Sequence, residues 1–219
     1  MKNFSILFIA AILCLSACNN NNTQPPKPKP SIHIFTHNID KVEQLCNQEA
    51  SQDIYDLSGA GYAYIDIDSD GIEELYIRDE AADCGWLLCC GADSIQFIAS
   101  ENYKLHFSKL GNIVMLSGSA GTGCFYTKYF QIENSIYVGP DFYELDEYVF
   151  SGDTTKTSYY STKEDDVLLS EDKVKPFMEL ISKIKNNGEE WELLTENLQF
   201  KPFYELTGKV PEDAISESE

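Results

Sequence analysis

Asp66, Asp68 and Asp70 occupy alternate positions, Gly71 follows at once, and Glu74 lies three residues further on. In extended backbone, alternate side chains point the same way. A turn at Gly71, a residue that tolerates positive φ, therefore swings three carboxylates toward one point. Such a cluster suits a hard cation: Ca²⁺ takes about six to eight oxygens from carboxylates, carbonyls and water. With Asp66 as the first position, the Ile72 carbonyl falls seventh and Glu74 ninth. Position twelve is Ile77, where an EF-hand places a bidentate Glu. The flanks Tyr64-Ile65 and Leu75-Tyr76-Ile77 are β-branched or aromatic and favour strand. The pattern is thus a loop between two strands and not an EF-hand.

The run Asp66-x-Asp68-x-Asp70-Gly71-x-x-Glu74-Leu75 resembles the strand-loop-strand calcium motif of FG-GAP and integrin-type repeats, and a similar hairpin of uncharacterised bacterial lipoproteins. The resemblance implies a ligand set of Asp66, Asp68, Asp70, the Ile72 carbonyl and Glu74. The chain departs from the motif in having Glu74 at the ninth position and Ser69 where Gly is frequent. One copy is found, so a propeller built from repeats is not expected. No nucleophile or base lies nearby in the sequence, so the ion is expected to pin the hairpin and not to catalyse.

The other chemistry-bearing residues form no catalytic pattern. Beyond the N-terminal segment and Cys18, the cysteines are Cys46, Cys84, Cys89, Cys90 and Cys124. An exported domain can oxidise, so at least one disulfide is expected within Cys84, Cys89, Cys90 and Cys124, with Cys89 and Cys90 facing opposite sides of a strand. Paired C-x₂-C turns for zinc are lacking. His33 and His37 fall at the junction between tether and helix, with no helical context, and His106 alternates with strand residues. Ser117–Gly123 lacks the Gly-Lys-Ser/Thr of a phosphate loop and the first Gly of a nucleophile elbow. It reads as a wide hairpin turn.

Charge and leader narrow the setting. Acids number 36 against 16 Lys and Arg, a net charge of -20. That balance argues against nucleic acid or anionic head groups held by a basic face. It permits a cationic partner. Met1-Lys2-Asn3 precedes an apolar run from Phe4 to Leu15 that is too short to span a bilayer and reads as an export signal. Leu15-Ser16-Ala17-Cys18 resembles the lipobox of bacterial lipoproteins, which implies cleavage before Cys18, acylation of its thiol and anchoring in a lipid bilayer of the cell envelope. Asn19 to Pro30 is polar and proline-rich, an extended tether.

The elements that must position the acidic loop follow from periodicity. Ile39, Val42, Leu45 and Cys46 predict a helix from Ile39 toward Tyr55. Strands are predicted over 62–67, 72–78, 85–90, 94–100, 103–108, 112–117, 124–132, 135–138, 142–150 and 156–162. Val174, Phe177, Met178, Ile181 and Ile184 give one apolar stripe over 171–187, with Pro176 suited only to a first turn. The expected organisation is a signal (1–17), Cys18 and a tether (18–31), one α+β domain (32–207) and an acidic tail (208–219). That domain is an antiparallel β meander with an N-terminal helix and a C-terminal helix packed on the sheet. The expected function is that of a membrane-anchored lipoprotein with a structural calcium loop and a non-catalytic binding or structural role. Two alternatives are an acidic module that inhibits or binds a basic protein, and a glycan hydrolase.

Overall fold

The computed structural model describes residues 31–49, 57–91, 94–102, 104–148, 155–196 and 198–209. The signal, Cys18 and the tether up to Pro30 lie outside the described residues, as do 50–56 and the tail from 210.

The chain is mostly antiparallel β structure with a few helices. Helices α1 (Ser31–His37) and α2 (Ile39–Glu49) lead through a 3₁₀ turn (Leu57–Gly59) into β1 (Gly61–Ile65), β2 (Glu74–Asp79), β3 (Cys84–Cys90) and β4 (Ile95–Glu101). These are followed by β5 (Leu105–Leu110), β6 (Ile113–Gly121), β7 (Cys124–Glu133), β8 (Ile136–Gly139), β9 (Phe142–Tyr148) and β10 (Thr155–Ser161). Short β11 (Leu168–Leu169) precedes α3 (Glu171–Asn186), and β12 (Glu192–Leu193), β13 (Lys201–Pro202) and α4 (Phe203–Thr207) close the described chain. The meander divides into two sheets, with orders β13-β1-β2-β3-β4 and β11-β10-β9-β7-β6-β5-β12. β8 is a side branch on β7.

Strand alternation explains the division. Along β3, Trp86, Leu88 and Cys90 join one apolar cluster, while Leu87 and Cys89 join another. A strand buried on both faces needs a cover on each. On one side that cover includes Phe35, Val42 and Cys46 of the N-terminal helices. On the other it is the second sheet, through Phe107, Val114, Leu116, Phe130 and Ile132. The far face of the second sheet carries a third cluster in which Ile113, Tyr129 and Phe142 meet Val174 and Ile181 of α3.

A buried polar knot ties the sheets together. Tyr76 Oη and Arg78 both donate to the Glu101 carboxylate, whose Oε2 accepts from the Phe107 amide of the second sheet at 2.9 Å. Arg78 also holds Asp83 at 2.7 Å. Gly85 leaves the room this needs: a Cβ there would lie 3.0 Å from Glu101 Oε1 and 3.0 Å from the Ile77 carbonyl.

Several sequence expectations are corrected. His33 and His37 do lie in a helix, because the apolar pair Ile34 and Phe35 packs into the first cluster and makes α1 worth forming. Pro176 sits inside α3 and not in its first turn. Burial of Val174 and Ile181 on either side outweighs its missing amide donor. The glycine-rich run is not a wide turn, since β6 extends to Gly121. Gly118 permits this: a Cβ there would fall 1.7 Å from the Lys104 carbonyl oxygen, which accepts from the Ser119 amide at 3.1 Å. The disulfide is not formed either, for Cys89, Cys90 and Cys124 carry free thiols, as does Cys46. Cys84 stands at the opposite end of β3 from Cys89 and Cys90, a span of about 16 Å at strand rise, well beyond the roughly 7 Å a bridge allows. Cys124 opens β7 in the other sheet, opposite Gly121 and Glu147. Burial pushes the Cys90 thiol up to about 11 and the Cys46 thiol up to about 12, so both stay protonated and inert near neutrality.

Gly118→Ala should destabilise the domain by on the order of 3 kcal/mol or more, because backbone and not a flexible side chain blocks the added atom. An unchanged denaturant midpoint for this variant would show that the approach of Lys104 is not a constraint.

Candidate metal centre

The β1–β2 connection carries the acidic loop, and its backbone is bent where the sequence allows. Ser69 and Gly71 have φ of 60° and 87°. The first value shows why Gly would be the easier residue at position 69. The loop's own amides turn its aspartates inward. Gly71 N donates to Asp66 Oδ2 at 3.0 Å, Asp70 N to Asp68 Oδ1 at 3.3 Å and Ile72 N to Asp70 Oδ1 at 2.6 Å. Ligand-capable oxygens of Asp66, Asp68 and Asp70 lie within 4.8 Å of one another.

Glu74 is placed differently. It is fully buried at the start of β2, opposite Ile65, and does not belong to that close group. Its Oε2 accepts from the Ile67 amide at 2.9 Å, closing the neck of the loop. Its Oε1 is buried without a hydrogen-bond partner, and so is Asp66 Oδ1. Three of the expected ligands are thus gathered, and Glu74 supports them from beneath. Ile72 lies within the same loop, its amide already engaged by Asp70.

Burial and neighbouring charge disfavour the ionised carboxylates of Glu74 and Asp70. Burial pushes the Glu74 carboxyl up to about 7, opposed by the Ile67 amide and the Ser135 hydroxyl and reinforced by the Asp68 charge. Asp70 is likewise raised above its ordinary value, first by burial and then by the charges of Asp68 and Asp66. Carboxylates this close repel one another. A divalent cation would cancel that repulsion and supply the missing partner of Asp66 Oδ1, so the donor set fits a hard, oxygen-seeking ion.

Two residues that sequence reasoning missed complete the surroundings. Lys109 Nζ of β5 donates to the Asp66 carbonyl at 3.3 Å. The Ser135 amide, from the β7–β8 turn, donates to Asp68 Oδ2 at 3.2 Å. Neither carries a local signal, because the partners are brought together only by the stacking of the sheets. A cleft of about 680 Å³ opens beside the loop, lined by Asp68, Lys109 and the acids Glu189, Glu190 and Glu192 among others. On the open part of the second sheet, Tyr126, Tyr143 and Tyr160 form a row with ring centroids 5.1 and 5.3 Å apart. The Tyr143 and Tyr160 rings are stacked on each other.

Among the described residues no helix is long and apolar enough to cross a membrane. The chain matches no family model, no curated protein and no solved structure, so its function has to be read from its own geometry.

The Glu74 carboxyl gives a pH dependence with a definite sign. Its folded pKa of about 7 lies above the ordinary value of 4.5, so between those values the folded state holds more protons than the unfolded one. Metal-free protein should therefore lose stability as pH rises through this window, and Glu74→Gln should flatten the loss. Thermal melts in chelator from about pH 4.5 to 7.5 read this directly; the same slope in wild type and variant would show that Glu74 is not its source.

Proposed function

We propose that this chain is an exported bacterial lipoprotein whose domain carries one structural calcium loop and serves a binding or structural role without catalysis. Acyl chains on Cys18 anchor it to a bilayer of the cell envelope, and the Pro/Asn-rich segment holds the domain clear of the head groups. In this reading α2 and α3 seal the outer faces of the two sheets. The hairpin is the counterpart of the FG-GAP and integrin-type calcium loop, with Asp66, Asp68, Asp70 and the Ile72 carbonyl facing the ion and Glu74 closing its base.

One observation carries the calcium reading: two buried carboxylate oxygens, Asp66 Oδ1 and Glu74 Oε1, have no hydrogen-bond partner beside a group of aspartates already turned inward by backbone amides. Buried polar atoms are almost always satisfied, and a cation among the aspartates would supply the partner that Asp66 Oδ1 lacks. A second reading, an acidic module for a basic protein, draws support from the cleft bordered by Asp68, Glu189, Glu190 and Glu192. The ion and a cationic partner would then share one acidic surface.

Single loops in extracellular modules bind with Kd on the order of 10⁻⁴–10⁻³ M. At about 10 mM Ca²⁺ the linked stabilisation is then about 1.4–2.7 kcal/mol, or roughly 5 °C in Tm for a domain of this size. Melts in chelator and in calcium should differ by that amount for wild type and not for Asp68→Asn/Asp70→Asn. Equal melting temperatures for wild type in both buffers would remove the calcium reading.

A further inference from the structure

The acidic loop belongs to the first sheet, yet part of what holds it comes from the second. Glu133 pairs with Ile136, so Asn134 and Ser135 form a two-residue turn between β7 and β8. Both residues have positive φ, 53° and 55°. A turn of this kind favours Gly at its second central position, but the chain places Ser there and buries it completely. Its amide donates to Asp68 Oδ2 at 3.2 Å. Its hydroxyl lies beside the Glu74 carboxyl and favours that group's charged form, yet neither Ser135 Oγ nor Glu74 Oε1 has a partner of hydrogen-bonding geometry.

Three buried oxygens without partners, on Asp66, Glu74 and Ser135, thus come from two hairpins of two different sheets and border one loop. A site that is merely a turn of the first sheet would leave Ser135 no reason to be buried and unsatisfied against it. Other bonds seat the same hairpin on the first sheet. Tyr137 N donates to Gln96 Oε1 of β4 at 3.3 Å. Lys109 of β5 reaches the Asp66 carbonyl from the second sheet as well.

We propose that the ion site is built from both sheets, with Ser135 as a positioning residue for Asp68 and Glu74, and that calcium fastens the β7–β8 hairpin to the β1–β2 loop. The proposal rests on the calcium reading of that loop and adds its regulation: occupancy sets how firmly the two sheets are joined at this edge. Ions bind where carboxylates are preset, and partners behind a ligand commonly change metal affinity by an order of magnitude or more.

The test uses calcium alone, on the mature domain, in wild type, Ser135→Gly and Ser135→Ala. Amide hydrogen exchange should slow on adding calcium at 66–74 and also at 134–138. Ser135→Gly keeps the turn and its amide, so its metal-free melting temperature should not fall, while its calcium midpoint rises about tenfold. Ser135→Ala should shift the midpoint in the same direction. Protection confined to 66–74, or calcium midpoints unchanged in both variants, would overturn the two-sheet site and leave the calcium reading standing. Protection at neither segment would overturn both.

Discussion

Carboxylates crowded at the mouth of one hairpin repel each other, and here that repulsion is held in place by everything around it. Asp66, Asp68 and Asp70 are drawn within 4.8 Å by the amides of their own loop. Glu74 is locked beneath them by the Ile67 amide in a region where its charged form is disfavoured. Strand β2, which carries Glu74, is buried along nearly its whole length and supplies Leu75, Tyr76 and Ile77 to the clusters on its two faces. The loop therefore cannot relax by letting the hairpin splay without unpacking apolar surface on both sides of the first sheet. Neutralisation by a cation is the cheaper resolution, since it leaves that packing intact.

The core around this loop is mostly antiparallel β structure divided between two sheets. The joint between the sheets is both apolar and polar. Phe107, Leu116 and Phe130 pack against Leu87 and Cys89, while Glu101 collects Tyr76, Arg78 and the Phe107 amide. A buried carboxylate with several donors specifies one register between the sheets, because a slip would leave its charge unpaired. With that register fixed, Lys109 and Ser135 reach the loop from the second sheet.

Much of this is legible in the sequence where the cause is local. Alternation and turn residues place β1 to β10 within a few residues, and the stripe from Val174 to Ile184 places α3. The Asp-x-Asp-x-Asp-Gly spacing locates the loop. What escapes is non-local. The break of one meander into two sheets depends on which faces are covered. The short strands β11, β12 and β13 exist only as partners to β10, β5 and β1. Gly118 is required by the carbonyl of Lys104, which leads into the neighbouring strand β5. Ser135 lies 67 residues from Asp68 and looks like any turn residue. Lys209 shows the same at the other end: it bonds Glu43 of α2 at 2.9 Å.

The most direct measurement is a crystal structure of the mature domain grown with calcium and recorded where the ion scatters anomalously. The account predicts an anomalous peak among Asp66, Asp68 and Asp70, with oxygen distances of about 2.3–2.6 Å. Carboxylates turned outward into solvent, with no peak at saturating calcium, would contradict it.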